Sequence, residues 1–180
     1  TEQMAFLEMG TAELEVCQER LDRAQWSSQG PSRVELMYRP AAGLTARPLR
    51  RIASGGEASR VMLACKVVLG DADGIDTLVF DEVDAGVGGA TAVALAQVLS
   101  HLAQSHQVIV VTHLAQVAVV GDRHYLVSKV GDAVPETTIE EISGDERVEE
   151  VARMLSGDQT QTSLDHAREM LAAAASQKIR

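Results

Sequence analysis

Two apolar runs in this chain each end in groups that can do chemistry. Leu78-Val79-Phe80 leads into Asp81-Glu82-Val83-Asp84, and Val108-Ile109-Val110-Val111 leads into Thr112-His113. In open parallel sheets, ligands bind outside the carboxyl ends of the strands. Two neighbouring strands that both deliver titratable groups there therefore suggest a site. Asp81 is the candidate metal ligand, because a carboxylate after an apolar strand suits Mg²⁺, a hard cation that prefers carboxylate oxygen and water. Glu82 can orient or deprotonate a water. His113 can sense or polarise a terminal phosphate. Taken singly, Asp81-Glu82 also reads as an ordinary solvated strand end, and His113 as a structural histidine capping the next helix.

The second constellation is Ser54-Gly55-Gly56-Glu57, at the start of a helical pattern. Ser-x-x-Glu is a capping box. A capping box does not require two glycines, however. Paired glycines let the backbone approach a ligand closely and aim several N–H groups at one spot. A helix N-terminus adds positive potential suited to phosphate. Ser54 can accept the capping hydrogen bond and still donate its own proton to a phosphate oxygen.

The elements that must position these groups follow from periodicity. A helix is predicted over 55–69, with Val61, Ala64, Cys65, Val68 and Leu69 on one face, and another over 89–104. Between and after them, 78–80 and 108–111 are continuous apolar strands. Strand, helix, strand with apolar strands reads as a βαβ unit of a parallel sheet buried on both faces. Upstream, Ala12, Leu14 and Val16 alternate with polar residues, as do Val34, Leu36 and Tyr38, which suggests an antiparallel strand pair near the N-terminus. The connection 40–51, with Pro40, Gly43, Pro48, Arg47, Arg50 and Arg51, is expected to be irregular, and its arginines to be a solvated loop or an inter-lobe contact. Residues 2–9 read as a short helix end. Strands near 124–130 and 136–142 and two helices, from about Asp145 to Gly157 and from about Thr162, complete an α/β chain. The acidic run from Glu140 to Glu150 reads as a solvated face with favourable charge at a helix start.

Composition limits the function classes. The chain has 180 residues, 46% hydrophobic and 23% charged, which describes a globular chain rather than a disordered one. Sixteen basic against twenty-six acidic residues give a net charge of −10, which argues against a free-standing, charge-driven nucleic-acid binder. Aromatic residues are 3%, too few for a base-stacking platform. No apolar stretch nears the roughly 20 residues that span a bilayer, so no membrane partner is expected. Nothing resembles a secretory leader, and Cys17 and Cys65 are expected to be reduced, buried thiols of a cytoplasmic protein.

The motifs together carry a resemblance. Ile52-Ala53-Ser54-Gly55-Gly56-Glu57-Ala58-Ser59-Arg60 is similar to the signature motif of ABC-type ATPases. Leu78 to Glu82 resembles a Walker B strand with its catalytic glutamate. Asp84 to Gly89 falls where the D-loop belongs, and Val111-Thr112-His113 resembles a switch-histidine loop. The chain is identified as similar to the C-terminal lobe of an SMC-like (structural maintenance of chromosomes) ATPase head, over roughly residues 34–175. The resemblance implies a role in DNA double-strand-break repair, with ATP and Mg²⁺ as cofactors. It implies that Asp81 holds Mg²⁺ through water, that Glu82 activates the attacking water, and that His113 contacts the γ-phosphate. Ser54, Gly55 and Gly56 would contact the γ-phosphate of ATP held by a second head, with Glu57 and Asp84 also placed among the cofactor-binding residues. The implied partners are an N-terminal lobe, a second copy joined through ATP-bound heads, and DNA, mainly through regions outside this chain. The implied location is the cytoplasm, at the nucleoid. By domain, 1–10 would be the end of a coiled coil, 11–40 edge strands, 52–130 the signature, Walker B, D-loop and switch region, and 144–178 C-terminal helices.

Three other readings compete. A helicase shares Asp-Glu-Val-Asp but needs Ser-Ala-Thr after the next strand, where this chain has Thr112-His113. A metal-dependent hydrolase would use Asp81, Asp84 and His113. An interaction module would have a decayed ATP site, yet Glu82 is retained. Other SMC-like heads usually follow the Walker B box with Ala-Leu-Asp rather than Gly-Val-Gly-Gly. Gly-x-x-x-x-Gly-Lys-Ser/Thr does not occur in the 180 residues, so nothing in the chain cradles a β-phosphate. Purified 1–180 is therefore expected not to hydrolyse ATP. Steady magnesium-dependent turnover, abolished by Glu82→Ala, would overturn the split-site reading.

Overall fold

The computed structural model describes residues 4–5, 7, 9–52, 54–130 and 136–178. The helix end expected over 2–9 lies largely outside them, as does Ala53. Met4 and Leu7 are described and buried in the main core.

Strands β1 (Glu13–Arg20) and β2 (Ser32–Arg39) form the expected antiparallel ribbon, paired from Glu13 with Arg39 to Arg20 with Ser32. Alternation separates its faces. Leu14 and Tyr38 lead into the core, while Glu13, Glu15 and Glu19 face Arg39 and Arg33 across the strands. Cys17 falls on this charged face and is exposed, so the expectation of two buried thiols fails for it. Cys65 is half-buried, and burial pushes its thiol pKa up. The connection 40–51 contains a two-residue strand, β3 (Arg47–Pro48), paired with Met37 and Tyr38. The connection expected to be irregular thus carries a short strand. Pro48 is tolerated because β3 is the edge of the sheet, where a missing N–H costs no interior ladder bond. Of the loop arginines, Arg50 pairs with Glu35 at 2.9 Å.

Helix α1 (Gly55–Leu69) has the expected bounds but a different buried stripe. Val61, Leu63 and Ala64 are buried and Val67 packs beside them, whereas Val68 and Leu69 are exposed. The inward face runs through Leu63 and Val67, four residues apart, one position earlier than the apolar spacing suggested. Lys66 is also buried, and its Nζ donates to the carbonyl of Gly70 at the helix C-terminus, where positive charge is favourable.

Strand β4 (Thr77–Phe80), helix α2 (Gly89–Leu102) and strand β5 (Gln107–Val110) form the parallel unit, with Thr77 opposite Gln107 and Phe80 opposite Val110. Leu78, Phe80, Val108 and Val110 face a core shared with Leu63 of α1 and Leu95 and Leu99 of α2. The opposite face is bare. Val79 is 66% exposed and its cross-strand neighbour Ile109 47%, with Val111 beside them also exposed. The expectation of a sheet buried on both faces is thus met on one side only. Helices α1 and α2 pack on the side of Leu78 and Phe80, and among the described residues no layer covers the other.

A short helix α3 (Ala115–Ala118) follows β5. Strands β6 (His124–Val130) and β7 (Glu136–Ile142) make an antiparallel hairpin. Helices α4 (Gly144–Ser156) and α5 (Gln161–Lys178) pack on α3 through Ala115, Val119, Val151, Ala152 and Ala167. Gly157, with φ +77°, closes α4 in the left-handed cap that glycine adopts without steric cost. Within the acidic run, Asp145 and Glu146 occupy the first turn of α4 as expected. Glu150 departs from the solvated reading: it is buried and held by Arg153 at 2.6 and 2.7 Å.

Burial predicts the sensitivity of α1. Leu63→Ala is expected to cost about 2–5 kcal/mol, the usual range for a fully buried leucine. Val68→Ala, five positions on, is expected to stay within about 0.5 kcal/mol. Urea unfolding of the two variants checks this, and equal losses would contradict the assigned stripe.

Candidate functional site

The site is a loop that leaves β4 and is held from two sides. Residues 81–88 form turns rather than a regular element, closed by Ala85 N–H to Glu82 O and Val87 N–H to Asp84 O, both at 3.0 Å. Most of its remaining carbonyls need donors from elsewhere. Helix α1 supplies them. Ser59 Oγ donates to the carbonyl of Asp81 at 2.7 Å, and Arg60 Nη1 donates to those of Val83 at 3.2 Å and Ala85 at 2.8 Å. Ser59 and Arg60 lie one turn into the signature helix. The motif alone does not assign Ser59 and Arg60 this role, and their position just after the paired glycines is the sequence signal for it.

The glycines let α1 and this loop touch. A Cβ on Gly56 would meet Ala85 Cβ at 2.7 Å and the Glu82 carbonyl at 3.0 Å, so the helix start is seated on the loop backbone. A Cβ on Gly55 would run into the Glu82 carboxylate. That carboxylate therefore lies against the first residue of α1, at the positive end of the helix. Glu82 itself has φ +55°, the one non-glycine residue with positive φ among those described. Such backbone costs about 1–3 kcal/mol and persists where the surroundings over-determine it, which here means the donors from Ser59 and Arg60 on either side. Ser54 caps α1, accepting from Glu57 N–H at 3.4 Å, and is exposed.

From the other side comes the loop after β5. Val111 N–H continues the ladder to the Phe80 carbonyl at 2.9 Å. Thr112 Oγ1 then donates to Asp84 Oδ2 at 2.5 Å, and His113 N–H donates to the same oxygen at 2.9 Å. His113 Nδ1 is 3.1 Å from it. Thr112 Oγ1 also accepts from Leu114 N–H, tying the loop to the start of α3. Asp84 is 3% exposed, and its carboxylate is turned inward to the switch loop. His113 keeps a side chain that is 70% exposed, and Asp81 and Glu82 are exposed as well.

The structure thus gathers Asp81, Glu82, His113 and the Ser54–Glu57 helix start around one strand-end loop. Among the described residues no group of three His, Cys, Asp or Glu is placed to hold a metal unaided. An exposed single carboxylate fits Mg²⁺ shared with phosphates, the usual arrangement for that ion. The same observation removes the support for a hydrolase using Asp81, Asp84 and His113 as a metal triad.

Comparison with known proteins agrees with this geometry. No protein-family model matches the chain. It is 51% identical over 150 residues to the DNA repair protein RecN of Deinococcus radiodurans, covering 83% of this chain and 26% of that protein. It is 48% identical over 151 residues to RecN of Streptomyces coelicolor, again covering 83% and 26%. The chain is a relative of RecN. It spans about a quarter of the length of the RecN proteins it matches. In fold it is similar to the Smc head domain with coiled coil and joint from Pyrococcus yayanosii, at 20% identity, covering 97% of this chain and 28% of that one, TM-score 0.55. It is also similar to the Smc head from Pyrococcus furiosus bound to the C-terminal domain of ScpA, at 22% identity, covering 79% and 33%, TM-score 0.53. The fold class is therefore α/β, that of an SMC head, with the antiparallel strand pair near the N-terminus of this RecN-like segment.

The two glycines are expected to separate on substitution. Gly56→Ala meets backbone and a neighbouring Cβ, and overpacking of that kind typically costs about 1–3 kcal/mol. Gly55→Ala meets only the end of the Glu82 side chain, which can rotate away, and should cost under about 1 kcal/mol. Thermal unfolding of both variants provides the measurement.

Proposed function

We propose that this chain is the C-terminal lobe of an ATP-hydrolysing SMC-like head in a bacterial DNA double-strand-break repair protein, acting in the cytoplasm at the nucleoid. The observation that carries the proposal is the meeting of the strand ends and the signature helix at one loop. Glu82 touches the start of α1, and His113 is fastened to the same loop through Asp84. The likeness to RecN supports the substrate class.

In this reading Asp81 would hold Mg²⁺, which when bound would neutralise charge on the phosphates. Glu82 accepts the proton of the attacking water. His113 donates to the γ-phosphate. Ser54 and the N–H groups of Gly55 and Gly56 receive the γ-phosphate of ATP bound to a second copy, and Glu57 keeps that helix start capped. Nucleotide thereby links two heads that otherwise associate weakly.

A separate N-terminal lobe supplies the phosphate loop. The bare sheet face of Val79, Ile109 and Val111 supports this, since continuous apolar strands are ordinarily covered on both sides. So does the pairing of β5 with β4 alone among the described strands. The net charge of −10 agrees with DNA contacts lying largely outside this chain. In domain terms, 11–40 form edge strands, 52–130 hold the motifs, and 144–178 form the closing helices.

The test uses the complete protein. Glu82→Gln should slow hydrolysis by ~10²–10⁴-fold, the usual worth of positioned acid–base help, with nucleotide binding retained. Ser54→Arg should leave ATP affinity of a single head nearly intact but remove ATP-dependent dimerisation, read by sedimentation with and without ATP. Normal turnover by Glu82→Gln would move the base elsewhere. Loss of affinity in Ser54→Arg with an unchanged monomer fraction would mean that the signature works in cis.

A further inference from the structure

Helix α3 (Ala115–Ala118) is a single turn that follows His113-Leu114 directly. A helix that short does not hold itself in water, and its last carbonyls find no partner within it. It is also the one described element with buried side chains in both cores. Val117 packs in the main cluster, and Ala115 in the cluster of Val151, Ala152 and Ala167 from α4 and α5. The far end of the turn is gripped by a cation from α4. Arg147 Nη2 donates to the carbonyls of Ala118 at 3.0 Å, Val119 at 3.3 Å and Gly121 at 2.8 Å. The three oxygens converge because the chain turns tightly at Gly121, where a Cβ would meet the carbonyls of Arg123 at 3.2 Å and Ala118 at 3.4 Å. Arg147 is half-buried, and burial lowers its pKa against the opposing charge of Asp122. The carbonyls therefore stand in for the water that the guanidinium has lost.

We infer that Arg147 is a positioning residue for His113, acting through α3 from the helix pair α4–α5. This rests on the reading of His113 as the phosphate-facing side chain. His113 stands between two anchors. Before it, the switch loop is bound to Asp84 through Thr112 Oγ1 and the His113 N–H. After it, the carbonyl of Leu114 accepts from Val117 and Ala118 N–H, so the chain enters the α3 turn at the very next residue. A slide or rotation of α3 is therefore passed directly to the His113 backbone. Asp84 sets where the switch loop starts, and Arg147 sets where the turn that follows it ends. The His113 side chain is 70% exposed, so its aim depends on that backbone. Arginine suits the task, because its planar fork offers N–H groups in fixed directions. The closing helices thus take part in the site although none of its motifs lies on them.

Hydrogen exchange of the complete, nucleotide-free protein, read by mass spectrometry, tests the clamp. In the wild type, residues 115–121 should exchange as slowly as α4, although they form a single turn. Exchange as fast as that of an exposed loop overturns the inference, and this measurement decides even if the variant fails to fold. Arg147→Met removes the donors and keeps an apolar stem. It should speed exchange over 113–121 roughly 10–10²-fold, the usual worth of a charge-assisted hydrogen bond, and leave β4 and α2 unchanged. An unchanged rate over 113–121, or an equal rise throughout the chain, overturns the inference. Arg147→Met should also lower kcat by ~10–10²-fold with KM for ATP changed little, as a misplaced group does. A merely structural role would lower the melting temperature and leave kcat of the folded variant intact, and that outcome counts against positioning. If the complete wild-type protein turns over no ATP, the proposed function fails, while the exchange result still decides whether Arg147 holds α3.

Discussion

Everything at this site depends on where the carbonyl groups after β4 find donors. A strand that ends in Asp81-Glu82-Val83-Asp84 must leave the sheet at once, and the loop it enters has little regular hydrogen bonding of its own. Buried backbone oxygens without partners would cost about as much as lost hydrogen bonds. Arg60 removes that cost for the part-buried carbonyls of Val83 and Ala85, and Ser59 adds a donor to the exposed carbonyl of Asp81, these being the residues that alternate with Glu82 and Asp84. Glu82 can then tolerate its left-handed backbone, and Asp84 can turn inward to the switch loop.

This constraint explains why a glycine is required at position 56 whether or not a ligand binds there. Arg60 reaches the loop only if α1 starts close to it. Gly56 permits that approach, because a side chain there would strike Ala85 and the Glu82 backbone. Loop support therefore makes on Gly56 the same demand that the proposed phosphate site would make. Gly55 differs: its neighbour is the movable end of Glu82, so its bareness bears on what can approach the helix start rather than on how the helix is seated.

Much of this was legible in the sequence, and the failures have physical causes. The bounds of α1, β6 and β7 followed from periodicity and turn residues, because those signals are local. The two-sided burial of β4 and β5 was misjudged on one side. A run such as Val108 to Val111 reports that both faces avoid water, not that one chain covers both. Val68 was placed inward by a spacing that Val67 also nearly satisfies, and only packing chooses between them. The inward turn of Asp84 is not legible from sequence, because a motif gives residue type and order but not the direction of a side chain. Its partners, Thr112 and His113, lie 28 and 29 positions away. Cys17 was read from apolar neighbours, although strict alternation on β1 sets it beside Glu15 and Glu19.

One consequence joins the two halves of the proposed site. If the start of α1 receives phosphate from a second head, the same helix carries, one turn later, the donors that hold the loop of Glu82 for its own head. Ser59 and Arg60 are too close to Gly56 along the helix to move independently of it. A shift of α1 on engagement would therefore be delivered to the carbonyls of Asp81, Val83 and Ala85, and from the loop to Asp84 and His113. No long pathway is needed for one composite site to sense the other. The coupling element would be a single helical turn whose first residues face the partner and whose next residues carry the catalytic loop.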